Sequence, residues 1–149
     1  KQYQRYKDVL EDDAPKTLDD FQNMKYTEPE KWEKLKKKRS IFSEIADKEW
    51  TYEFKEKARN SYRKFEKEGF TLSSHALSRL PRLNKKGFPN VSEKDVLSIL
   101  KQKAQYTEGE EKEVFFDEGK QLSIVKNRNT GDIVTIVRRK HRKEEWEDV

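Results

Sequence analysis

The spacing of apolar residues changes from a helical period to a strand period in the last third of the chain. From Lys48 to Glu68, large apolar residues recur every three or four positions, which predicts an amphipathic helix. Gly69 then supplies the expected helix stop. The predicted apolar stripe is Trp50, Phe54, Ala58, Tyr62 and Phe65. Such an aromatic stripe is far more often part of a core or an interface than of a cofactor site.

A shorter helix is predicted within Thr71–Leu80. Ser73 or Ser74 can cap its first turn, and Pro81 indicates that it ends at Leu80. Its apolar stripe is Leu72, Ala76 and Leu80. The loop that follows, from Pro81 to Pro89, contains Lys85, Lys86 and Gly87.

His75 and Arg79 stand beside this stripe, four positions apart. Side chains at that spacing are neighbours on a helix, so the pair can meet one phosphate group. The alternative is a capped surface helix whose histidine is solvated or hydrogen-bonded. These ten residues alone favour neither interpretation.

A further helix is predicted after Ser92. Ser92 can cap it, Asp95 can complete a capping box, and Val91 can pack on Val96 as a hydrophobic staple. Its buried side is predicted to be Val96, Leu97, Ile99, Leu100 and Ala104.

Three β-rich runs follow, at residues 114–116, 122–125 and 133–137, separated by glycine-containing hairpin loops. They predict a three-stranded antiparallel meander preceded by helices, hence an α+β fold. In the third strand, one face is predicted to carry Ile133, Thr135, Val137 and Arg139. Thr135 thus places a hydroxyl group in an otherwise apolar row, which makes it a candidate site residue. The alternative is that it is an ordinary β-branched strand residue.

The N-terminal part of the chain is polar, with scattered apolar anchors. Thr27 is predicted to cap a helix that has Pro29 in its first turn and Glu30 completing a capping box. Apolar residues become periodic only near Trp50. We therefore predict peripheral helices over residues 1–47 and a compact domain over 48–149.

Composition limits what this fold can contain. Of 149 residues, 32% are hydrophobic and 42% charged, so a single large core is not expected. The absence of cysteine excludes disulfides and thiolate zinc sites, and two histidines make a histidine-rich metal site improbable. No apolar run has membrane-spanning length, so no membrane association is expected. Because the sequence begins at Lys1 rather than Met, we expect it to be a segment of a larger protein.

Basic charge is concentrated near the C-terminus. The net charge is +5. The segment from Lys126 to Lys143 contains seven Lys or Arg residues and only one acidic residue, Asp132. Clustered basic charge favours a polyanionic partner because each neutralised phosphate releases counterions. A solvated basic tail is the alternative.

The C-terminal part resembles a known group of ribonuclease toxins. The similarity lies in the helix Ser74-His75-Ala76-Leu77-Ser78-Arg79, a second helix, and a meander ending Thr130-Gly131-Asp132-Ile133-Val134-Thr135-Ile136-Val137-Arg138-Arg139. This combination is similar to phage-type members of the barnase–EndoU–colicin–RelE group. Separately, residues 1–6, 15–22 and 26–32 resemble the segment that precedes the C-terminus in Mu F-like phage minor head proteins, some of which carry toxin domains there.

The resemblance implies a barnase- or RelE-like fold and metal-independent RNA cleavage without a cofactor, in which the ribose 2′-hydroxyl attacks its own phosphate. It implies that His75 is the acid/base group, that Arg79 holds the phosphate, that Thr135 donates to a phosphate oxygen, and that Arg138 or Arg139 supports it. Further RNA contacts are expected from Lys126, Arg128, Arg139, Arg142 and Lys143, with His141 in the same basic tail.

The resemblance also implies where such a domain acts and what it meets. The expected substrate is tRNA or other bacterial RNA, in the bacterial cytoplasm after delivery with a phage head protein. An acidic immunity protein is the expected partner. The alternative function is a non-catalytic structural or nucleic-acid-binding domain of a capsid protein. The enzyme interpretation requires His75 and Thr135 to lie on the same side, within about a nucleotide's width.

Overall fold

A computed structural model describes residues 1–149, and the chain divides into two compact units, residues 1–59 and 60–149. The division between the units falls inside a helix, twelve residues after the predicted boundary at residue 47. No helix is both long enough and apolar enough to cross a membrane.

The N-terminal unit is helical. Helices α1 (Gln2–Leu10), α2 (Leu18–Thr27) and α3 (Pro29–Asp47) precede α4 (Tyr52–Lys67), whose first half belongs to this unit. The scattered aromatic anchors of the sequence converge: the rings of Tyr6, Phe21 and Trp32 have centroids 5.2–5.5 Å apart. Because these rings from three helices pack against one another, the unit has a core of its own.

The predicted cap at Thr27 is wrong. Thr27 is the last residue of α2, and its hydroxyl donates to the Asn23 carbonyl one turn earlier. Helix α3 begins directly at Pro29, after Glu28, without a side-chain cap. Pro29 does occupy the first turn as expected. Proline is tolerated there because backbone N–H groups in the first turn have no acceptor within the helix.

The C-terminal unit confirms the α+β prediction. Its strands are β1 (Thr71–Leu72), β2 (Tyr106–Glu108), β3 (Lys112–Asp117), β4 (Leu122–Asn127), β5 (Asp132–Arg138) and β6 (Glu147–Asp148). They form one open sheet in the order β1-β5-β4-β3-β2-β6. The predicted meander is its centre, β3-β4-β5, while β1 pairs parallel to β5 and β2 and β6 extend the opposite side.

Local sequence signals place the two helices of this unit after α4. Ser73 caps α5 (Ser74–Arg79) by accepting from the Ala76 N–H at 3.1 Å. The helix ends one residue before Leu80, and Pro81 lies in a 3₁₀ turn over Leu80–Arg82. The predicted capping box of α6 (Glu93–Leu100) is confirmed, with Ser92 and Asp95 bonded in both directions.

A bulge in β5 changes the predicted face pattern. Thr135 pairs with Val125, but Ile133 pairs with Lys126, so Val134 is an extra residue in β5. Thr135, Val137 and Arg139 keep their shared face. Ile133 is shifted to the face of Ile136, which corrects the prediction that it shares the face of Thr135.

Apolar side chains pack against both faces of the sheet. One face carries the fully buried residues Leu122, Ile124, Ile133 and Ile136. The other packs around Trp146, which is 3% exposed, with Val114, Phe116, Val125 and the partly buried Tyr106 and Val134. Apolar side chains on both sides of the central strands hold the unit together despite its high charge content.

Candidate functional site

Helix α5 lies along the outer edge of β5. Strand β1 pairs only with the first two residues of β5, and the Ser73 N–H then donates to the Ile133 carbonyl at 2.9 Å. The Ser73 hydroxyl donates to the Val134 carbonyl at 3.1 Å. From there α5 packs against β5 in place of another strand. The helix that carries His75 and Arg79 is thus fixed at its start by Ser73.

His75 lies on the outward side of α5. Its neighbours Ser74, Ala76 and Leu77 are buried, while His75 itself is exposed. Its backbone carbonyl accepts from the Ser78 hydroxyl at 2.6 Å. The imidazole is therefore accessible from solvent on a short helix whose other side is packed.

Thr135 lies on one face of β5, and Arg139, the first residue after the strand, continues the alternation on the same side; both are half-buried. The Arg139 guanidinium carbon lies 5.7 Å from the Trp146 ring centroid. The Nε of Arg139 is buried without a hydrogen-bond partner. The Arg139 N–H donates to the Gln121 carbonyl at 2.8 Å, which fixes the backbone at this point.

Arg138 points to the opposite face and is only 7% exposed. Its guanidinium donates to four backbone carbonyls, those of Leu83 (2.9 Å), Pro89 (2.6 Å), Lys120 (2.7 Å) and Gln121 (3.3 Å). Burial lowers the pKa of Arg138. This bonding gives Arg138 a structural role, because its guanidinium joins two loops to β5, whereas Arg139 is the arginine on the side of Thr135. The prediction of a catalytic Arg138 stays untested.

A small cleft of about 130 Å³ opens where Arg79 meets the edge of β5. Its lining consists of Arg79, Arg82, Leu83, Lys85, Ile136, Val137 and Arg138. Four of these seven residues are cationic and none is acidic. Neither Arg82 nor Lys85 was singled out as a site residue from the sequence, although the basic character of the loop from Pro81 to Pro89 was a usable signal.

Three of the predicted RNA contacts lie at opposite ends of β5. Lys126 and Arg128 lie at the hairpin that precedes β5, while Arg139 follows its other end. Seven strand residues at roughly 3.3 Å each put about 20 Å between these ends.

The basic tail is folded back onto the sheet. Arg142 is 41% exposed and pairs with Asp148 at 3.4 Å, and it also donates to the Trp146 carbonyl. Lys143 is 33% exposed and lies 3.6 Å from a carboxylate oxygen of Glu108. Both cations therefore have internal partners with which an RNA phosphate would have to compete.

The structure groups no three or more His, Asp or Glu side chains in a way that could hold a metal ion. Comparison with protein families, curated proteins and solved structures finds no match to this chain. The ribonuclease and phage-head resemblances therefore stay predictions.

Proposed function

We propose that the C-terminal unit is a metal-independent endoribonuclease that cleaves bacterial RNA. The observation that carries this proposal is the packing of α5, with His75 and Arg79, along β5, which bears Thr135 and is followed by Arg139 on the same side. A proton-exchanging side chain, a hydroxyl and two guanidinium groups thus come from two adjacent elements. The site residues become His75, Arg79, Thr135 and Arg139, with Arg138 holding β5 in place.

The chemistry needs few protein groups. The ribose 2′-hydroxyl loses its proton to a base and its oxygen attacks the adjacent phosphorus. The bond from phosphorus to the 5′-oxygen breaks, and that oxygen takes a proton from the protonated base or from water, which leaves a 2′,3′-cyclic phosphate and a 5′-hydroxyl. Imidazole exchanges protons near neutral pH, which suits His75 for this transfer. Arginine can meet two phosphate oxygens at once, which suits Arg79 and Arg139 for the charge that accumulates there.

The decisive experiment is cleavage of total bacterial RNA by the purified full chain in the presence of a metal chelator. We expect products with cyclic phosphate ends. Under single-turnover conditions with excess protein, His75→Ala should lower the rate by about two to four orders of magnitude. His141→Ala is the matched control, because His141 is the only other histidine and should not affect the chemical step. Equal rates for wild type and a folded His75→Ala variant would remove His75 from the mechanism.

A second candidate is an RNA-binding domain that does not cleave. The cleft lined by four cations favours it, since phosphate binding there needs no proton transfer. Intact RNA after prolonged incubation with stoichiometric protein, together with measurable RNA affinity, would establish this alternative.

The biological setting is part of the same proposal. A ribonuclease of this kind would be toxic in the bacterial cytoplasm, and an acidic immunity protein could block its basic surface with electrostatic steering. Delivery by a phage head protein would fit the N-terminal resemblance. Expression of the wild-type chain in bacteria should arrest growth, whereas His75→Ala should not. Unimpaired growth at high wild-type expression would contradict this setting.

A further inference from the structure

The cleft beside Arg79 combines a buried cation with three more accessible ones. Arg138 is buried without a carboxylate partner, and its four hydrogen bonds all go to neutral carbonyls. These carbonyls and the Phe88 ring, whose centroid lies 5.1 Å from the guanidinium carbon, stabilise the guanidinium but provide no full negative charge opposite it. An anion in the cleft would supply the missing charge.

The three other cations come from one continuous segment. Arg79 ends α5, Arg82 ends the 3₁₀ turn, and Lys85 lies three residues further on. Because α5 is fixed to β5 through Ser73, this segment follows the strand edge and brings its charges to Ile136 and Val137.

The size of the cleft also fits a small anion. A site needs roughly 10–15 Å³ of accessible volume to hold one water molecule, and this cleft offers about 130 Å³. That space accommodates a tetrahedral phosphate with some of its hydration. No acidic side chain lines the cleft to repel it.

We propose that this cleft is a phosphate-binding site formed by Arg79, Arg82 and Lys85 over the buried charge of Arg138. In the context of the proposed function, on which this part rests, the bound group is an RNA backbone phosphate next to the one attacked. Arg79 belongs to both groups of residues, and Arg82 and Lys85 follow it along the chain, away from His75. The site adds affinity and orientation, and no proton moves there.

The first test is an NMR titration of the full chain with inorganic phosphate, against chloride at equal ionic strength. We expect saturable shifts of the Ile136 and Val137 amides with phosphate only. Lys85→Gln and Arg82→Gln should each weaken this binding several-fold. Lys86→Gln is the matched control, because it removes the same charge one residue away, outside the cleft lining. Equal weakening by Lys85→Gln and Lys86→Gln, or no saturable shift, would overturn the site.

The second test distinguishes RNA phosphate from free phosphate as the occupant. A single-stranded RNA with 2′-O-methyl groups cannot be cleaved, so its binding can be measured alone. Lys85→Gln should reduce the slope of log K against log salt by about 0.7, the value for one phosphate contact on a single strand. If phosphate binds but RNA affinity and slope are unchanged, the cleft binds free phosphate and the RNA assignment is wrong.

The cleft and the catalytic proposal can fail separately. Cleavage that depends on His75 but keeps its wild-type KM in Arg82→Gln and Lys85→Gln would overturn the cleft as an RNA subsite while leaving the ribonuclease intact. Phosphate and RNA binding in the cleft without any cleavage would support the site and reject the enzyme.

Discussion

The guanidinium carbon of Arg142 lies 4.3 Å from the centre of the Tyr106 ring. This cation–π contact joins the C-terminal segment to β2, where β6 adds the last strand of the sheet. Trp146, between Arg142 and β6 in the sequence, packs its buried ring against Phe116 and Tyr106. A stretch that looks like a solvated basic tail in the sequence is therefore part of the folded unit.

Trp146 should be essential for the stability of the C-terminal unit. Trp146→Ala removes a ring that is 3% exposed and whose Nε1 donates to Glu108 at 3.2 Å. We expect the free energy of unfolding to fall by about 3–5 kcal/mol, as for other buried aromatic truncations. Urea unfolding followed by circular dichroism measures this. Tyr52→Ala, at a ring that is 74% exposed, should change little, and a similar loss in both variants would contradict the packing role.

Arg142 should matter more for stability than an equally basic residue without these contacts. Arg142→Gln loses the Tyr106 contact, the Asp148 ion pair and the bond to the Trp146 carbonyl. We expect the melting temperature to fall by several degrees, since about 1 kcal/mol corresponds to roughly 4–8 °C in a domain of this size. Arg128→Gln, at the exposed β4–β5 turn, should stay within about 0.5 kcal/mol of the wild type. Differential scanning calorimetry of both variants decides the point.

The capping box of α6 should make stability depend on pH at the acid end. The Ser92 N–H donates to the Asp95 carboxylate, and this bond, aided by Lys120, lowers the pKa of Asp95. Because the folded-state pKa lies below the unfolded value of about 3.9, the contribution is fully present above that value. It is lost as the pH falls through the folded-state pKa. Asp95→Asn should therefore cost stability at pH 7 and progressively less below about pH 4, in paired denaturant titrations. An equal loss of stability at pH 7 and below about pH 4 would show that the charge of Asp95 does not contribute to stability.

Strong local signals made much of the C-terminal fold predictable. The Ser92–Asp95 capping box and the three meander strands are each encoded within a few neighbouring residues. The short strands β1, β2 and β6 were missed because two or three residues cannot show a period. Their pairing depends on partners far along the chain, which spacing does not reveal.

The candidate site was only partly predictable for the same reason. The spacing of His75 and Arg79 is local to one helix and was visible in the sequence. The burial of Arg138 depends on carbonyls such as those of Leu83 and Pro89, about fifty positions earlier. Strand alternation did indicate that Arg138 and Arg139 face opposite ways, but only the tertiary contacts show which of them is enclosed.

Arg138 and Arg139 should therefore separate stability from activity, although they are adjacent and chemically identical. Arg138→Met removes the guanidinium that donates to four backbone carbonyls outside β5, and each buried carbonyl left without a donor costs about 1–3 kcal/mol. We expect a clear fall in the free energy of unfolding, and only partial rescue by Arg138→Lys because an ammonium group lacks the planar fork.

The Arg139→Gln variant should retain most of the wild-type stability. Its rate of RNA cleavage should fall by about an order of magnitude or more, because one charge-assisted contact to the phosphate is lost. Rates are compared below the melting temperature of the weaker variant, with folded fractions checked by circular dichroism. Reversal of the pattern, with a stable Arg138→Met variant that binds RNA but cleaves it slowly, would place Arg138 rather than Arg139 in the site.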